Sequence, residues 1–241
     1  MRERSGRFLI EGAREVERAA QAGVVLERMI TSQELLAAEA AALLKRLPAP
    51  DCEWIELSTE AFQRLSQREH PDGLLAVAVL SAPTLGEVDL SEASLVLVLD
   101  GLEKPGNLGS LLRVADGAGV DAVLLTGAGT DITNPNVIRS SMGSVFSVPT
   151  VGAGTAEALE RLSRAGMQIV VAAPHAAETY WDADYREATA LVVGAESTGV
   201  AKPWLAAAHR LVAIPMKGLA DSLNVATAGA LLVYEAMRQR R

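Results

Sequence analysis

Three short stretches of this chain set polar side chains among glycines and alanines in a way that suits chemistry. The first, GLEKPGNLGSLLRVADGAGV, carries Asn107 and Gly109 at the start of what reads as a helix, with Arg113 six residues after Asn107. A helix start offers free backbone N–H groups, although an asparagine there also reads as a simple cap and an arginine as a solvated face. The second, VVGAESTGVAKPW, places Glu196 between Gly194 and Gly199 just after an apolar run. That carboxylate is positioned to meet a polar group brought by a ligand or a helix, and the glycines permit close backbone approach. The third, IPMKGLADSLNVATAGALLVYEA, opens a helix with Asp221, Ser222 and Asn224. Asp221 or Ser222 can cap that helix, which leaves Asn224 unexplained. Beyond it, Ala226, Ala228, Gly229 and Ala230 strip the first turns of side chains, so either another part of the protein or a ligand must lie against that backbone.

The elements that must position these residues are legible as apolar runs alternating with helical periodicity, the pattern of an α/β chain with a mostly parallel sheet. In the first part, strands are expected near FLIE, VVLERMIT, EWIELS and LLAVAVL. The helix GAREVERAAQAG sets Val16, Ala19 and Ala20 on one stripe with the charged residues off it, and Gly23 follows as a stop. The segment 81–93, SAPTLGEVDLSEA, breaks the pattern and reads as a linker between a domain of residues 1–80 and one of residues 94–241. In the second part, LVLVLDG, AVLLTG, QIVVAAP, ALVVGAE and RLVAIP read as buried strands. Ligands of open parallel sheets bind at the carboxyl ends of strands, which directs attention to the loops after Asp100, Thr126, Ala173, Gly194 and Ile214. A dinucleotide site loses support: no G-x-G-x-x-G is present in the first loop, and no acidic residue ends AVLLTG to hold a ribose.

Composition narrows the classes further. With 241 residues and 49% hydrophobic content the chain has ample core. Cys52 is the only cysteine, which excludes an intrachain disulfide and a thiolate metal set and fits a reducing cytoplasm. The amino terminus lacks a signal-peptide core, and no apolar run reaches the roughly 18 residues of a membrane span. His70, His175 and His209 lack the spacing of a helical metal site, so no metal is expected. The net charge of −8 argues against a polyanionic partner, but Arg2, Arg4 and Arg7 at one end and RQRR at the other read equally as arms for phosphates or as solvated termini.

Taken together and in this order, Asn107, Gly109 and Arg113 (N-x-G-x-x-x-R), Gly194, Glu196 and Gly199 (G-x-E-x-x-G), and Ser222 to Val225 (S-L-N-V) resemble the motifs of the SpoU (TrmH-like) family of RNA 2'-O-ribose methyltransferases, part of the SPOUT class. RFLIEGAREVERA also resembles the start of the substrate-binding domain that many members carry. The resemblance implies an α/β fold with a deep trefoil knot in the carboxyl-terminal domain, a smaller amino-terminal α/β RNA-binding domain, S-adenosylmethionine as cofactor, and a homodimer formed through the carboxyl-terminal domain. It implies Arg113 as the catalytic residue, with Asn107, Glu196 and Asn224 organising the site. The cofactor would be held by Val171, Ala172, Ala173, Gly194, Ala195, Glu196, Gly199, Ile214, Met216, Ser222, Leu223 and Asn224. RNA would be met by Arg7, Arg113 and Arg139, the last in cis or across the dimer. Ribosomal RNA is expected before transfer RNA as the substrate. A base methyltransferase on the same scaffold and an inactive RNA-binding assembly protein are the rival readings.

Overall fold

The structure is a computed structural model, and it describes residues 6–47, 52–80, 83–90 and 94–241. In chain order the strands are β1 (Arg7–Glu11), β2 (Val25–Thr31), β3 (Glu53–Glu56), β4 (Leu74–Val79), β5 (Leu95–Asp100), β6 (Ala122–Thr126), β7 (Thr150–Gly152), β8 (Gln168–Ala172), β9 (Glu178–Thr179), β10 (Thr189–Gly194) and β11 (Arg210–Ala213). The α-helices are α1 (Ala13–Gln21), α2 (Ala38–Arg46), α3 (Thr59–Leu65), α4 (Pro105–Ala118), α5 (Pro135–Ser140), α6 (Thr155–Arg164), α7 (Lys202–Ala207) and α8 (Val225–Gln239). They fall into two compact units, Met1–Ser81 with Asp131–Ser147, and Ala82–Thr130 with Val148–Arg241.

The first unit holds a four-stranded sheet in the order β1-β4-β2-β3. It is mainly antiparallel, because β4 runs against both β1 and β2 and only β2 and β3 are parallel. In α1, Val16 and Ala19 are fully buried and Ala20 is half-buried. Glu15 is buried as well, although charged residues were expected off this stripe. Its carboxylate is compensated by Arg68 and Arg14, each at 3.0 Å, and a buried charge is tolerable when so paired. The segment Asp131–Ser147 is held by this unit's own residues: Phe146 stacks on Phe8 with centroids 6.2 Å apart, and Arg18 Nη1 donates to the Met142 carbonyl at 2.7 Å. Arg139, on α5, therefore belongs to the first unit.

The second unit is built on a seven-stranded parallel sheet in the order β7-β6-β5-β10-β8-β11-β9. Every residue of β5 is buried, as an apolar run covered on both faces requires. A core of Val96, Val98, Val171, Val192 and Trp204 lies against one side of the sheet. Leu85 and Val88, from the stretch between the two expected domains, are buried in that same core next to a short 3-10 helix, Leu85–Glu87. On α8, a Cβ at Gly229 would come within 2.4 Å of Leu111 Cδ2 on α4, so the small residues let these two helices pack closely. The carboxyl-terminal arginines close the fold. Arg238 pairs with Glu235 at 2.7 Å, and Arg240 donates to the carbonyls of Tyr185 at 2.7 Å and Ser94 at 3.3 Å. Arg2 and Arg4 lie outside the described residues.

Candidate active site

The helix carrying Asn107 begins earlier than the sequence implies. Lys104 is its N-cap and Pro105 its first residue, a position where proline has no N–H to leave unpaired and a preset φ. Asn107 therefore sits within the first turn instead of before it. With no backbone group to cap, its Nδ2 donates to Glu196 Oε1 at 3.1 Å. Asn224 reaches the same carboxylate from the third stretch, donating through Nδ2 to Glu196 Oε1 at 2.6 Å and to Asn107 Oδ1 at 3.1 Å. Its Oδ1 accepts the Ala226 N–H at 2.9 Å, so Asn224 is itself the N-cap of α8, and neither Asp221 nor Ser222 fills that place. One amide thus performs two tasks. Its carbonyl half caps the start of the helix, which turns the NH2 half toward a carboxylate that can only accept.

Lys104 completes the cluster by pairing its ammonium with Glu196 Oε2. Nothing in the spacing singled it out, since a lysine in a charged loop reads as solvated. Hydrogen bonding from Lys104 foremost, opposed by desolvation and supported by Asn107, holds the Glu196 carboxyl below the usual carboxylate range. A carboxylate so held is a poor proton acceptor near neutrality, because an effective general base has its pKa near the working pH. Glu196 is an ionised hub that ties three loops together.

The loop around Glu196 folds back on itself. Gly199 N donates to Ala195 O at 2.9 Å, and a Cβ on Gly194 would meet the Gly199 carbonyl carbon at 2.4 Å. Gly199 itself takes φ +67°, in the left-handed region that disfavours any side chain. Beside this loop, at the carboxyl ends of β8, β10 and β11, lies a cavity of about 330 Å³. Of the residues assigned to the cofactor from sequence, Ala172, Ala173, Gly194, Ala195, Glu196, Gly199, Ile214, Met216, Ser222 and Leu223 line it. Asn224 is not among the lining residues and stands in the hydrogen-bonded cluster instead. Val171 is not among them either: it is fully buried in the core, and its strand pairs with Val192 on one side and Leu211 on the other. Val193, Thr198, Val200, Leu205, Val212 and Asp221 also line the cavity, as do Val225 and Ala228 on α8. The small-residue stretch thus faces a cavity at Ala228 and packs against protein at Gly229.

Arg113 stands apart. It is exposed and makes no hydrogen bond or ion pair with the described residues. It lies six positions beyond Asn107 on the helix, about 9 Å along the axis and about 120° around it, so the structure does not bring it into the Glu196 cluster. Arg7 pairs with Glu27, with Nη2 to Oε1 at 2.9 Å, and the exposed Arg139 donates to Asn136 Oδ1 at 2.9 Å. His209 is structural, its Nδ1 accepting the Ile169 N–H at 3.0 Å, and no group of metal-ligating side chains occurs among the described residues. No helix of the described residues is long and apolar enough to cross a membrane.

Residues 94–234 match the SpoU rRNA Methylase family, and residues 1–76 match the MRM3-like substrate binding domain. The chain is 32% identical over 247 residues to the 23S rRNA (uridine(2479)-2'-O)-methyltransferase of Streptomyces viridochromogenes, covering 99% of this chain and 85% of that protein. It is 32% identical over 236 residues to the 23S rRNA (guanosine(2553)-2'-O)-methyltransferase RlmP of Bacillus subtilis, covering 97% and 89% of the two chains. Among solved structures, an RNA 2'-O ribose methyltransferase superposes with a TM-score of 0.88 at 45% identity, over 99% of this chain and 91% of that one. The SpoU methyltransferase AviRb from Streptomyces viridochromogenes, in complex with the cofactor AdoMet, superposes with a TM-score of 0.89 at 30% identity, over 99% and 92%.

Proposed function

The chain belongs to the SpoU rRNA methylase family, and from that premise we propose that it methylates a ribose 2'-hydroxyl of ribosomal RNA, with the Glu196 cluster assembling the site and Arg113 acting on the substrate. The observation that carries this reading is the meeting of three sequence-distant loops at one carboxylate that also lines the cavity. The cavity suits S-adenosylmethionine. Its volume of about 330 Å³ is that of a small-ligand site. Its walls are mostly apolar side chains and loop backbone, and of the two carboxylates in the lining Glu196 is already paired with Lys104, which leaves Asp221 as the acidic group for a ligand with a cationic centre. Bound there, S-adenosylmethionine supplies an electrophilic methyl group carried on positively charged sulfur.

The chain's own residues do the rest. The backbone of the loops at Gly194, Ile214 and Leu223 holds the cofactor. Arg113, exposed and bonded to none of the described residues, anchors an RNA phosphate and stabilises the negative charge developing on the ribose oxygen. Its guanidinium stays protonated and so does not take the hydroxyl proton. Glu196, already occupied by donors, does not take it either, and the proton leaves to water.

In the same reading, the first unit recognises RNA with Arg7 and Arg139 among its contacts, supported by the match of residues 1–76 to a substrate binding domain. Two copies pair through the second unit, whose α8 presents Leu231 and Tyr234 beside Tyr180 in a groove of about 410 Å³. The carboxyl end is knotted, as the resemblance to the SpoU family implies. The protein works in the cytoplasm, where ribosomal RNA is modified. Incubating ribosomal RNA with the protein and methyl-labelled S-adenosylmethionine, then mapping 2'-O-methylated positions, tests the function. Label on a base, or none on RNA, contradicts it.

A further inference from the structure

Glu196 can organise three loops only if its own loop is fixed, and the residue that grips that loop is Asp100, the last residue of β5. The Asp100 carbonyl accepts the Ala195 N–H at 3.0 Å, and its carboxylate Oδ2 accepts the Ala201 N–H at 2.8 Å. These two amides bracket the segment containing Glu196, so one residue holds both ends. The other carboxylate oxygen accepts the Thr126 hydroxyl at 2.8 Å, and that hydroxyl in turn accepts Trp204 Nε1–H at 3.3 Å. Asp100 is 4% exposed and Trp204 wholly buried, and no lysine or arginine pairs with Asp100 among the described residues. The carboxylate is thus compensated by neutral donors alone, an arrangement that is costly to bury unless every acceptor is used. Packing fixes it further, since a Cβ on Gly127 would lie 3.4 Å from Oδ1.

We propose that Asp100 is a positioning residue for methyl transfer: by gripping Ala195 and Ala201 it sets where the Glu196 carboxylate meets Asn107 and Asn224, and it shapes the cavity wall between Gly194 and Val200. The inference rests on the organising role assigned to Glu196. It also predicts which feature of Asp100 matters. Asp100→Asn retains an acceptor for Ala201 N–H and can donate to Thr126, whose hydroxyl is free to rotate, whereas Asp100→Ala keeps the backbone bond to Ala195 but loses the side-chain hold on Ala201 and Thr126, which frees the far end of the loop.

The test is a double-mutant cycle between Asp100→Ala and Glu196→Gln, read as single-turnover methyl transfer to ribosomal RNA with circular dichroism confirming the folded fraction. Asp100→Ala in the unmodified background is expected to slow transfer on the order of tenfold, as loss of a charged hydrogen-bond partner does, and Asp100→Asn to retain most of the rate. In the Glu196→Gln background, Asp100→Ala is expected to cost less than about twofold more. Losses that multiply across the two backgrounds overturn the proposal, as does an Asp100→Asn protein as slow as Asp100→Ala. A Glu196→Gln protein with full activity removes the role of Glu196 itself and is distinguishable from both. Should Asp100→Ala not fold, Thr126→Val takes its place, with a several-fold loss expected that vanishes in the Glu196→Gln background; a loss that persists there overturns the proposal.

Discussion

The two ends of one short stretch of α4 are used in opposite ways. In its first turn, Asn107 and the N-cap Lys104 are both committed to Glu196, and through it to Asn224. Two turns on, Arg113 is exposed and bonded to none of the described residues. Preorganised groups are worth most in catalysis when their supports are locked and the acting group is left for the transition state. In the proposed reading the first turn builds the site, and Arg113, in the third turn, is left to meet the substrate.

The contrast breaks most visibly at Arg113. Arg113→Ala is expected to lower single-turnover methylation on the order of 100-fold or more, the usual cost of one preorganised electrostatic group. Arg113→Lys is expected to fail too, because lysine keeps the charge but loses the planar fork. Next in size is Gly194→Ala, which touches no reacting group. Its Cβ would lie 2.4 Å from both the carbonyl carbon and the oxygen of Gly199, and backbone cannot step aside as a side chain can. A roughly tenfold weaker affinity for S-adenosylmethionine by calorimetry is the expected result, and unchanged affinity would show that this close approach does not shape the cavity.

Asn224→Ala sharpens the comparison because it removes a network donor and a helix cap together. It should slow methylation several-fold and lower stability by about 1 kcal/mol in denaturant unfolding, whereas Asn107→Ala should slow methylation with little change in stability. Equal stability losses for the two variants would contradict the capping role. The smallest effect concerns pH. The Lys104 hydrogen bond holds the Glu196 carboxyl below its ordinary range, so the site remains assembled as pH falls until that lowered value is crossed. Lys104→Met raises the Glu196 pKa and moves the acid limb of the activity profile upward. An acid limb left unmoved would remove Lys104 from the account.

Strands β5, β6, β8 and β10 were legible because buried parallel strands write continuous apolar runs; β11 was legible from the same kind of run but is not a buried strand, for only Val212 is buried in it and Leu211 is exposed. Strands β7 and β9, three and two residues long at the sheet edges, write none. The antiparallel character of the first sheet was hidden because periodicity carries no strand direction. The packing of Asp131–Ser147 with the amino-terminal unit was hidden too, since Phe8 and Phe146 lie far apart in sequence. Removing residues 1–80 to test RNA binding would therefore also strip Phe146 and Met142 of their partners. In the site, Asn107, Glu196 and Asn224 stood out as polar residues among glycines and alanines. Lys104 and Asp100 did not, because one resembles a solvated loop lysine and the other a polar strand end. Their importance arises only from what the fold brings to them.

The most direct test of this division of labour is calorimetric titration of Arg113→Ala with S-adenosylmethionine alongside its single-turnover rate. An affinity within about twofold of the unmodified protein's, together with the loss of most methyl transfer, is the predicted outcome for a residue that binds substrate and not cofactor. Cofactor affinity that falls in proportion to the rate would place Arg113 in the cofactor pocket or in the fold, and would contradict the account.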